Sequence, residues 1–449
     1  MACYRLYHEY SDAWIRKEIQ RGADVNAPVE DGMTYLMLAH SEALVRELLA
    51  LGADPHAVNI EGQTALFDFS LCGSSKDAGA VRALLEAGCD IHAEDKFGRT
   101  ALNHCGNTFP ERNEVVRTLI EFGADVNHAD CDGTTPLHVA FGDALYALVD
   151  AGANVNAATT SDDPLDWARG TTPLMLASDY ESAKYLIDHG ADIHAKTSRG
   201  RSVLMELLFR DSADAALAVI EAGANLNEKD KCGNTTLHAL CGCYPLDRSI
   251  FNRIFKKCLT AGCDPNACNK RKETPLNFAW HDYAIKELIK AGAKIESVDT
   301  IGNTALHHVK NNLRCIRALL AAGAHPNPIN KAGRNPLFNI ENAKSAVLLI
   351  EAGADVNCVD LDGKTPLRCA VLEDNRRVVA AFLKHGANPN LQDKDGKTPL
   401  HYAVSGKNKR MTRLLLEHHA DPGIKDNAGT EALSPGDPLW PKAKGKNKG

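Results

Sequence analysis

The sequence predicts an all-α repeat solenoid, in which helix-turn-helix units are joined by β-hairpin-like loops. A Gly-Ala-Asp-Val-Asn-like pentapeptide begins at Gly22, and its thirteenth copy begins at His419, so twelve steps cover 397 residues at an average of 33. A second marker similar to Thr-Pro-Leu-His follows nearly every one of these glycines by twelve residues. A fixed period of this length indicates one structural unit repeated along the chain.

Each part of the repeat has a physical reason to fold as it does. The Asp-Gly pair before the Thr favours a turn, the Thr caps a short first helix, and the Pro that follows suits the first helical turn. A second helix ends in an apolar pair such as Leu48/Leu49, and the pentapeptide glycine then stops it as a left-handed cap. One helix pair cannot bury its apolar face alone, so we expect stacked neighbours to supply the core.

The two markers identify the chain as similar to a known family. The best copies, DGTTPLHVA at 132–140 and DGKTPLHYA at 395–403, resemble the ankyrin repeat. The resemblance implies about 12 helix-turn-helix repeats plus two half-repeat caps. We expect an N-terminal capping half-repeat at 1–26, a single elongated solenoid at 27–422, and a C-terminal cap with a basic flexible tail at 423–449. The irregular, compressed repeats resemble those of bacterial, phage and large-virus ankyrin proteins, which implies an effector or inhibitor role.

The composition is typical of a soluble globular protein, with 44% apolar and 24% charged residues. No apolar run approaches the roughly eighteen residues of a membrane span, and the N-terminal MACYRLYHEYSDAW lacks the features of a secretory signal. We expect a cytoplasmic monomer without a membrane partner, or a protein delivered into a host cytosol without a signal peptide. Its 14 cysteines are then reduced thiols.

The net charge of −7 is unevenly distributed along the chain. Residues 1–224 carry 17 Lys and Arg against 35 Asp and Glu, a net charge of −18, whereas residues 225–449 carry 34 against 23, a net charge of +11. A uniformly basic nucleic-acid binder is excluded by the total, but a basic surface on the C-terminal half is not.

Two basic features stand out in the C-terminal half. Arg334, Lys364 and Lys397 precede the cap position in three successive repeats and predict a ladder of cations. The run Lys270, Arg271 and Lys272 puts a lysine where other repeats have the turn glycine, which places the regular turn in doubt. These residues are candidates for an acidic, nucleic-acid or phosphate-bearing ligand, and the alternative is an ordinary solvated face.

An insertion of about eight residues enlarges one hairpin, within AATTSDDPLDWARG. Insertions in solenoids map to one face, which is often the binding face, and a Trp in a polar loop favours an exposed role. The alternative is a tolerated insertion whose Trp folds back onto a neighbour. The candidate binding residues here are Asp162, Asp163, Asp166 and Trp167.

Large aromatic residues also recur six to nine positions after the Thr marker. The ankyrin resemblance implies that this position lines the concave surface, and aromatic and Arg residues are enriched at protein interfaces. Phe209 and Tyr283 could instead fill the core. The candidate residues are Phe141, Asp179, Tyr180, Phe209, Arg210, Trp280, His281 and Tyr283.

The sequence contains no P-loop, G-x-G-x-x-G, H-E-x-x-H or G-x-S-x-G motif. Histidines at the fourth marker position are expected to hydrogen-bond the turn of their repeat. The remaining candidates for chemistry are Cys232, Cys241, Cys243 and Cys268, whose C-x-C spacing differs from the paired C-x₂₋₄-C of structural zinc sites. We therefore expect no catalytic residue, metal or cofactor, and predict a non-enzymatic scaffold that binds and inhibits or sequesters a partner protein through its concave face and hairpin tips.

Overall fold

The computed structural model of the protein describes residues 10–67, 78–105, 113–161, 168–243 and 248–434. The chain divides into two compact units. Unit 1 comprises Met1–Lys231 and Pro245–Ile254, and unit 2 comprises Cys232–Tyr244 and Phe255–Gly449.

Unit 1 is built from pairs of short helices, numbered here in chain order. They are α1 (Asp12–Gln20), α2 (Glu42–Ala50), α3 (Ala78–Glu86), α4 (Ala101–Cys105), α5 (Asn113–Glu121), α6 (Pro136–Val139), α7 (Asp143–Asp150), a 3-10 helix (Pro173–Leu176), α8 (Tyr180–Asp188), α9 (Val203–Phe209) and α10 (Ala213–Glu221). The second helix of each pair buries its leucine stripe: Leu44, Leu48, Leu84, Leu119, Leu148 and Leu186 are at most 1% exposed. Each such burial contributes about 1.5–3 kcal/mol to folding.

Unit 2 continues the same alternation of short first helices and longer second helices. It contains α11 (Thr236–Gly242), α12 (Arg248–Thr260, whose residues up to Ile254 belong to unit 1), a 3-10 helix (Pro275–Phe278), α13 (Asp282–Lys290), α14 (Ala305–His308), α15 (Leu313–Ala321), a 3-10 helix (Pro336–Asn339), α16 (Ala343–Glu351), α17 (Pro366–Leu372), α18 (Arg376–Lys384), α19 (Pro399–Ser405) and α20 (Lys409–Glu417). The predicted all-α repeat solenoid is confirmed by this mostly helical architecture. In the part of the chain that the structure describes, no helix is both long and apolar enough to span a membrane.

The first helices begin at the Thr marker, and the marker histidines have the role the sequence predicts. His307 Nδ1 accepts a hydrogen bond from the Thr304 N–H at 3.1 Å, while its Nε2 bonds the carbonyl of Arg334 in the next hairpin at 3.1 Å. The same pair of bonds is made by His138, His238 and His401. Burial lowers the pKa of His307, which favours the neutral ring that both bonds require.

In most described hairpins between repeats, an Asp or Asn side chain five residues before the cap holds the turn. Asp299 Oδ1 accepts hydrogen bonds from the N–H groups of Ile301 at 2.9 Å and Asn303 at 2.8 Å. Gly302 has a φ of +83°, and a Cβ atom there would lie 2.9 Å from the backbone nitrogen of Lys331 in the next hairpin. Glycine is therefore required where successive hairpins approach each other.

Successive hairpin tips are also joined by one backbone hydrogen bond per repeat. The Thr300 N–H donates to the Arg271 carbonyl at 2.8 Å, and the Lys331 N–H donates to the Ile301 carbonyl at 3.0 Å. Further bonds of this kind in unit 2 run from Leu361 to Ala332, from Lys394 to Asp362 and from Asn427 to Asp395. Each hairpin tip is thereby fixed in position relative to its neighbour.

Lys272 replaces the turn glycine without disrupting the turn. It adopts a φ of +58°, and its N–H donates to the Asn269 carbonyl at 2.9 Å, as in the regular hairpins. The Asn269 side chain still accepts hydrogen bonds from the N–H groups of Arg271 and Glu273. The prediction that this turn departs from the regular form was wrong, because Asn269 fixes the loop. Lys272 adopts a left-handed conformation that costs about 1 kcal/mol.

Candidate functional site

The hairpin tips of unit 2 expose a column of apolar residues that the sequence analysis missed. Val298, Ile329 and Val359 occupy the same position in three successive hairpins, six residues before the cap, and are 50%, 52% and 51% exposed. Ile301 and Leu361 add further apolar surface at the tips, with exposures of 58% and 66%. The signal was present in the sequence, as an apolar residue at one register position of three consecutive repeats.

Exposed cations accompany this apolar column. Lys270, Arg271 and Lys272 are all exposed at the tip of one hairpin, and Lys331 is exposed at the tip two repeats further along. Unit 2 as a whole carries 30 Lys and Arg against 20 Asp and Glu, a net charge of +10, whereas unit 1 has a net charge of −17. The chain thus combines apolar and basic groups on the hairpin tips of unit 2.

The predicted cation ladder is placed at successive hairpins, but two of its members already face carboxylates. Arg334 bonds Asp360 through Nε at 3.0 Å and through its terminal nitrogen at 2.9 Å. Lys364 Nζ lies 2.9 Å from Asp362 Oδ2, and this hydrogen bond raises the pKa of Lys364. Lys397 is half-buried, with its backbone N–H bonded to a turn aspartate.

The predicted aromatic column in unit 1 lies where the first helix leads into the second. Phe141 is 46% exposed, and Phe209 is 38% exposed with the guanidinium of Arg201 lying 4.0 Å from its ring centroid. Tyr180 donates a hydrogen bond to Glu221 at 2.9 Å. Asp179 caps α8 by accepting a hydrogen bond from the Ser182 N–H, and Arg210 follows α9 as a half-buried residue.

The equivalent residues of unit 2 divide between surface and packing. Trp280 is 41% exposed, whereas the ring of Tyr283 packs edge-on against Phe255 at 6.3 Å, in keeping with the core-filling alternative. His281 Nε2 bonds the Cys243 carbonyl at 3.2 Å. The inserted-loop candidates Asp162, Asp163, Asp166 and Trp167 lie outside the described residues.

The cysteines considered for metal binding separate into two kinds. Cys232 and Cys268 are exposed, whereas Cys241 and Cys243 are buried. Burial raises the pKa of the Cys241 thiol well above its ordinary value, which disfavours the thiolate that a metal ligand or nucleophile requires.

Comparisons with known proteins agree with this architecture. A family model described as "Ankyrin repeats (3 copies)" matches residues 69–159, 113–197, 246–330 and 337–426, which together exceed half of the chain. Neurogenic locus notch homolog protein 1 of Homo sapiens is 30% identical over 191 residues, and the match covers 38% of this chain and 7% of that protein. Its Xenopus tropicalis counterpart is 29% identical over 220 residues, or 48% of this chain and 8% of that protein.

A further relative has an enzyme's name. The intracellular phospholipase A2 of Caenorhabditis elegans is 27% identical over 176 residues, and this match covers 36% of the present chain but 15% of that protein. The present chain therefore spans a small part of each of these relatives. Ankyrin repeats generally mediate protein–protein interaction. Because the family model covers more than half of a chain folded as stacked helix pairs and hairpins, the chain belongs to the ankyrin repeat proteins.

Proposed function

We propose that this protein is a non-enzymatic scaffold that binds a partner protein and inhibits or sequesters it, with the hairpin tips of unit 2 as the anchoring surface. The observation that carries this proposal is the half-exposed column of Val298, Ile329 and Val359. Exposed apolar residues that recur at one position of neighbouring hairpins, rimmed by polar groups, are candidates for an interaction site. The partner covers these side chains and removes them from water.

The rigidity of the tips favours tight binding. The Asp or Asn of each hairpin fixes its turn, and backbone hydrogen bonds of 2.8–3.0 Å join one tip to the next in unit 2. A surface that is already ordered loses little conformational entropy when a partner binds, so more of the contact energy is available for affinity.

The charge of unit 2 indicates the kind of partner. Lys270, Arg271 and Lys331 are exposed beside the apolar column, and unit 2 has a net charge of +10. Complementary charge steers encounter and suppresses wrong partners. A partner segment with both apolar and acidic side chains fits this surface.

Within each unit, residues between first and second helices form a further contact surface. Phe141, Phe209 and Trp280 expose more than a third of their surface, and exposed aromatic groups serve as anchors at interfaces. The other predicted binding residues act as contacts that orient the partner: Asp179, Tyr180, Arg210, His281, Tyr283, and the inserted Asp162, Asp163, Asp166 and Trp167. The protein acts as a monomer, in the cytoplasm or in a host cytosol.

Binding of a nucleic acid or a phosphorylated ligand by unit 2 is the second candidate function. Lys270, Arg271 and Lys272 are exposed on one tip, which favours it, whereas Arg334 and Lys364 are engaged by carboxylates. Charge reversal at Lys270 and Arg271 is expected to abolish such binding, and the affinity should fall steeply with salt. A flat salt dependence contradicts this alternative.

The protein-binding proposal is tested with two double variants that match in position and exposure. Val359→Asp/Leu361→Asp changes a unit 2 hairpin at residues 51% and 66% exposed, and Val58→Asp/Ile60→Asp changes the same positions of a unit 1 hairpin, 55% and 67% exposed. The full chain and both variants serve as bait in extract of the native cell, with quantitative mass spectrometry as the readout. Circular dichroism checks that both variants fold.

We expect a partner that the wild type and the unit 1 variant retain and that the unit 2 variant loses. With that partner purified, the unit 2 variant should bind at least about tenfold more weakly, because a charged residue replaces an apolar anchor. Equal retention by both variants would overturn the choice of surface. A steep salt dependence with no protein retained would instead favour the phosphate-bearing ligand.

A further inference from the structure

Three side chains with metal-ligand chemistry meet where two hairpins of unit 2 adjoin. Glu273 ends one hairpin, Asp299 begins the turn of the next, and His308 lies in the helix that follows. One ligand atom from each residue lies within 4.8 Å of the other two. His308 Nε2 is 3.1 Å from Asp299 Oδ2.

The Asp299 carboxylate, whose Oδ2 faces His308, is held in place by the turn. Its second oxygen, Oδ1, accepts hydrogen bonds from two backbone N–H groups, at 2.9 and 2.8 Å. Glu273 Oε2 accepts a hydrogen bond from the Asn269 side chain at 2.8 Å, which orients that carboxylate as well. The Asp299 side chain is 5% exposed and that of His308 is 28% exposed, so the cluster is largely shielded but open on one side.

At the equivalent position two repeats further along, the protein itself supplies a cation. Arg334 and Asp360 stand 26 residues apart, as Glu273 and Asp299 do, and there the guanidinium bonds the aspartate at 2.9 Å. Other turn aspartates also have an arginine: Asp95 has Arg99 at 2.7 Å, and Asp393 has Arg368 at 3.0 Å. At Glu273 the side chain has the opposite charge, so a second carboxylate takes the place of the internal cation.

We infer that Glu273, Asp299 and His308 bind a divalent transition-metal cation, which supplies the positive charge that arginine supplies elsewhere. One imidazole nitrogen and two carboxylate oxygens suit Zn²⁺ or Mn²⁺, and water completes the coordination on the open side. Ligand atoms around such an ion stand about 3.4 Å apart. The ion links two successive hairpins, since Glu273 belongs to one and Asp299 and His308 belong to the next repeat.

The test measures binding of Zn²⁺ and Mn²⁺ to the full chain by isothermal titration calorimetry under reducing conditions. Mn²⁺ is included because it prefers oxygen and nitrogen ligands, so cysteines contribute little to its binding. The variants are Glu273→Arg and His308→Ala. His104→Ala is the matched control, because His104 lies 3.2 Å from Asp95 in the equivalent place but with Arg99 present.

We expect one site for each ion in the wild type and in His104→Ala, with affinity at least about tenfold lower in both test variants. Glu273→Arg should fold, because Arg334 already forms this arrangement with Asp360. Wild-type affinity in both test variants would overturn the site. Zn²⁺ binding that is lost in Cys232→Ser/Cys268→Ser but kept in His308→Ala would also overturn it, in favour of a thiolate site on the exposed cysteines.

Discussion

The hairpin of residues 269–274 and the hairpin of residues 330–335 have the same turn but carry opposite charges at the residue before the cap. In both, an Asn side chain accepts hydrogen bonds from two backbone N–H groups of the loop. Before the cap, the first has Glu273 and the second has Arg334, which neutralises Asp360. The turn therefore does not depend on this residue, which is free to set the charge between neighbouring hairpins.

The largest effect is expected from Arg334→Glu, which gives the second hairpin the same residue before the cap as the first. Asp360, whose side chain is 2% exposed, would lose both hydrogen bonds from the guanidinium and face a second carboxylate. The free energy of unfolding should fall by about 2–3 kcal/mol in urea denaturation. Lys394→Glu makes the same charge change at a side chain 69% exposed and should cost no more than about 0.5 kcal/mol. Equal losses would contradict the role of the Arg334–Asp360 pair.

A smaller effect, of opposite sign, is expected from Asn277→His. This change gives the repeat after the first hairpin the marker histidine that its neighbours have, and it should stabilise the protein. Asn277 Oδ1 accepts hydrogen bonds from the Thr274 N–H and hydroxyl at 2.8 Å. Its Nδ2 is buried and has no hydrogen-bond partner among the described residues. A histidine side chain extends further than asparagine, and His307 Nε2 bonds the Arg334 carbonyl of the next hairpin at 3.1 Å. The added hydrogen bond should raise the free energy of unfolding by about 1 kcal/mol at about pH 8.

The matched control for this change is Asn103→His in unit 1. Asn103 Nδ2 already donates to the Thr134 carbonyl at 3.0 Å, so a histidine gains no new hydrogen bond there. Thermal unfolding of both variants checks the comparison. The explanation fails if the two substitutions stabilise the chain equally.

Lys272→Gly should stabilise the protein, because it removes a conformational cost that the first of the two hairpins bears and the second does not. Lys272 has a φ of +58°, where glycine is favoured, and its side chain is exposed. We expect a gain of about 0.5 kcal/mol, since the relief of left-handed strain exceeds the entropy that glycine loses. Arg271→Gly, next to it and without a positive φ, should give no gain. A loss of stability in Lys272→Gly would show that the lysine side chain contributes a contact of its own.

The smallest effect concerns the response of the capping residues to acid. Burial lowers the pKa of His307, so the unfolded chain takes up a proton there more readily than the folded chain does. Stability should therefore fall as the pH drops below about 6.5, the ordinary value for histidine. His307→Asn, which copies Asn277, should show a shallower loss of unfolding free energy between about pH 7 and pH 5. An unchanged slope in His307→Asn would refute the explanation.

The features that the sequence predicted correctly depend on residues close together in the chain. The bond between Thr304 and His307 spans three residues, so the marker itself contains both partners. The pairing of Arg334 with Asp360 spans 26 residues and could not be derived from the cation ladder alone. Nor could the turn at Lys272, because the Asn269 side chain that fixes it acts through backbone groups that no motif displays.

The candidate surface could have been predicted more fully than it was. The residues predicted to bind a partner are aromatic or charged, whereas Val298, Ile329 and Val359 are aliphatic and recur at one register position. Periodicity alone does not reveal which position of a hairpin faces water, since that depends on how far the next hairpin covers it. The inserted residues around Trp167 remain a sequence prediction.

The backbone bonds between hairpin tips have a consequence for how such a surface evolves. Each tip is joined to the next through a main-chain N–H and a carbonyl, as between Leu361 and Ala332 at 3.0 Å, and these groups are present whatever the side chains are. A substitution at an exposed tip position such as Leu361 therefore leaves the bond to the neighbouring tip in place. The exposed side chains of such a surface can therefore change one at a time while its backbone arrangement is kept.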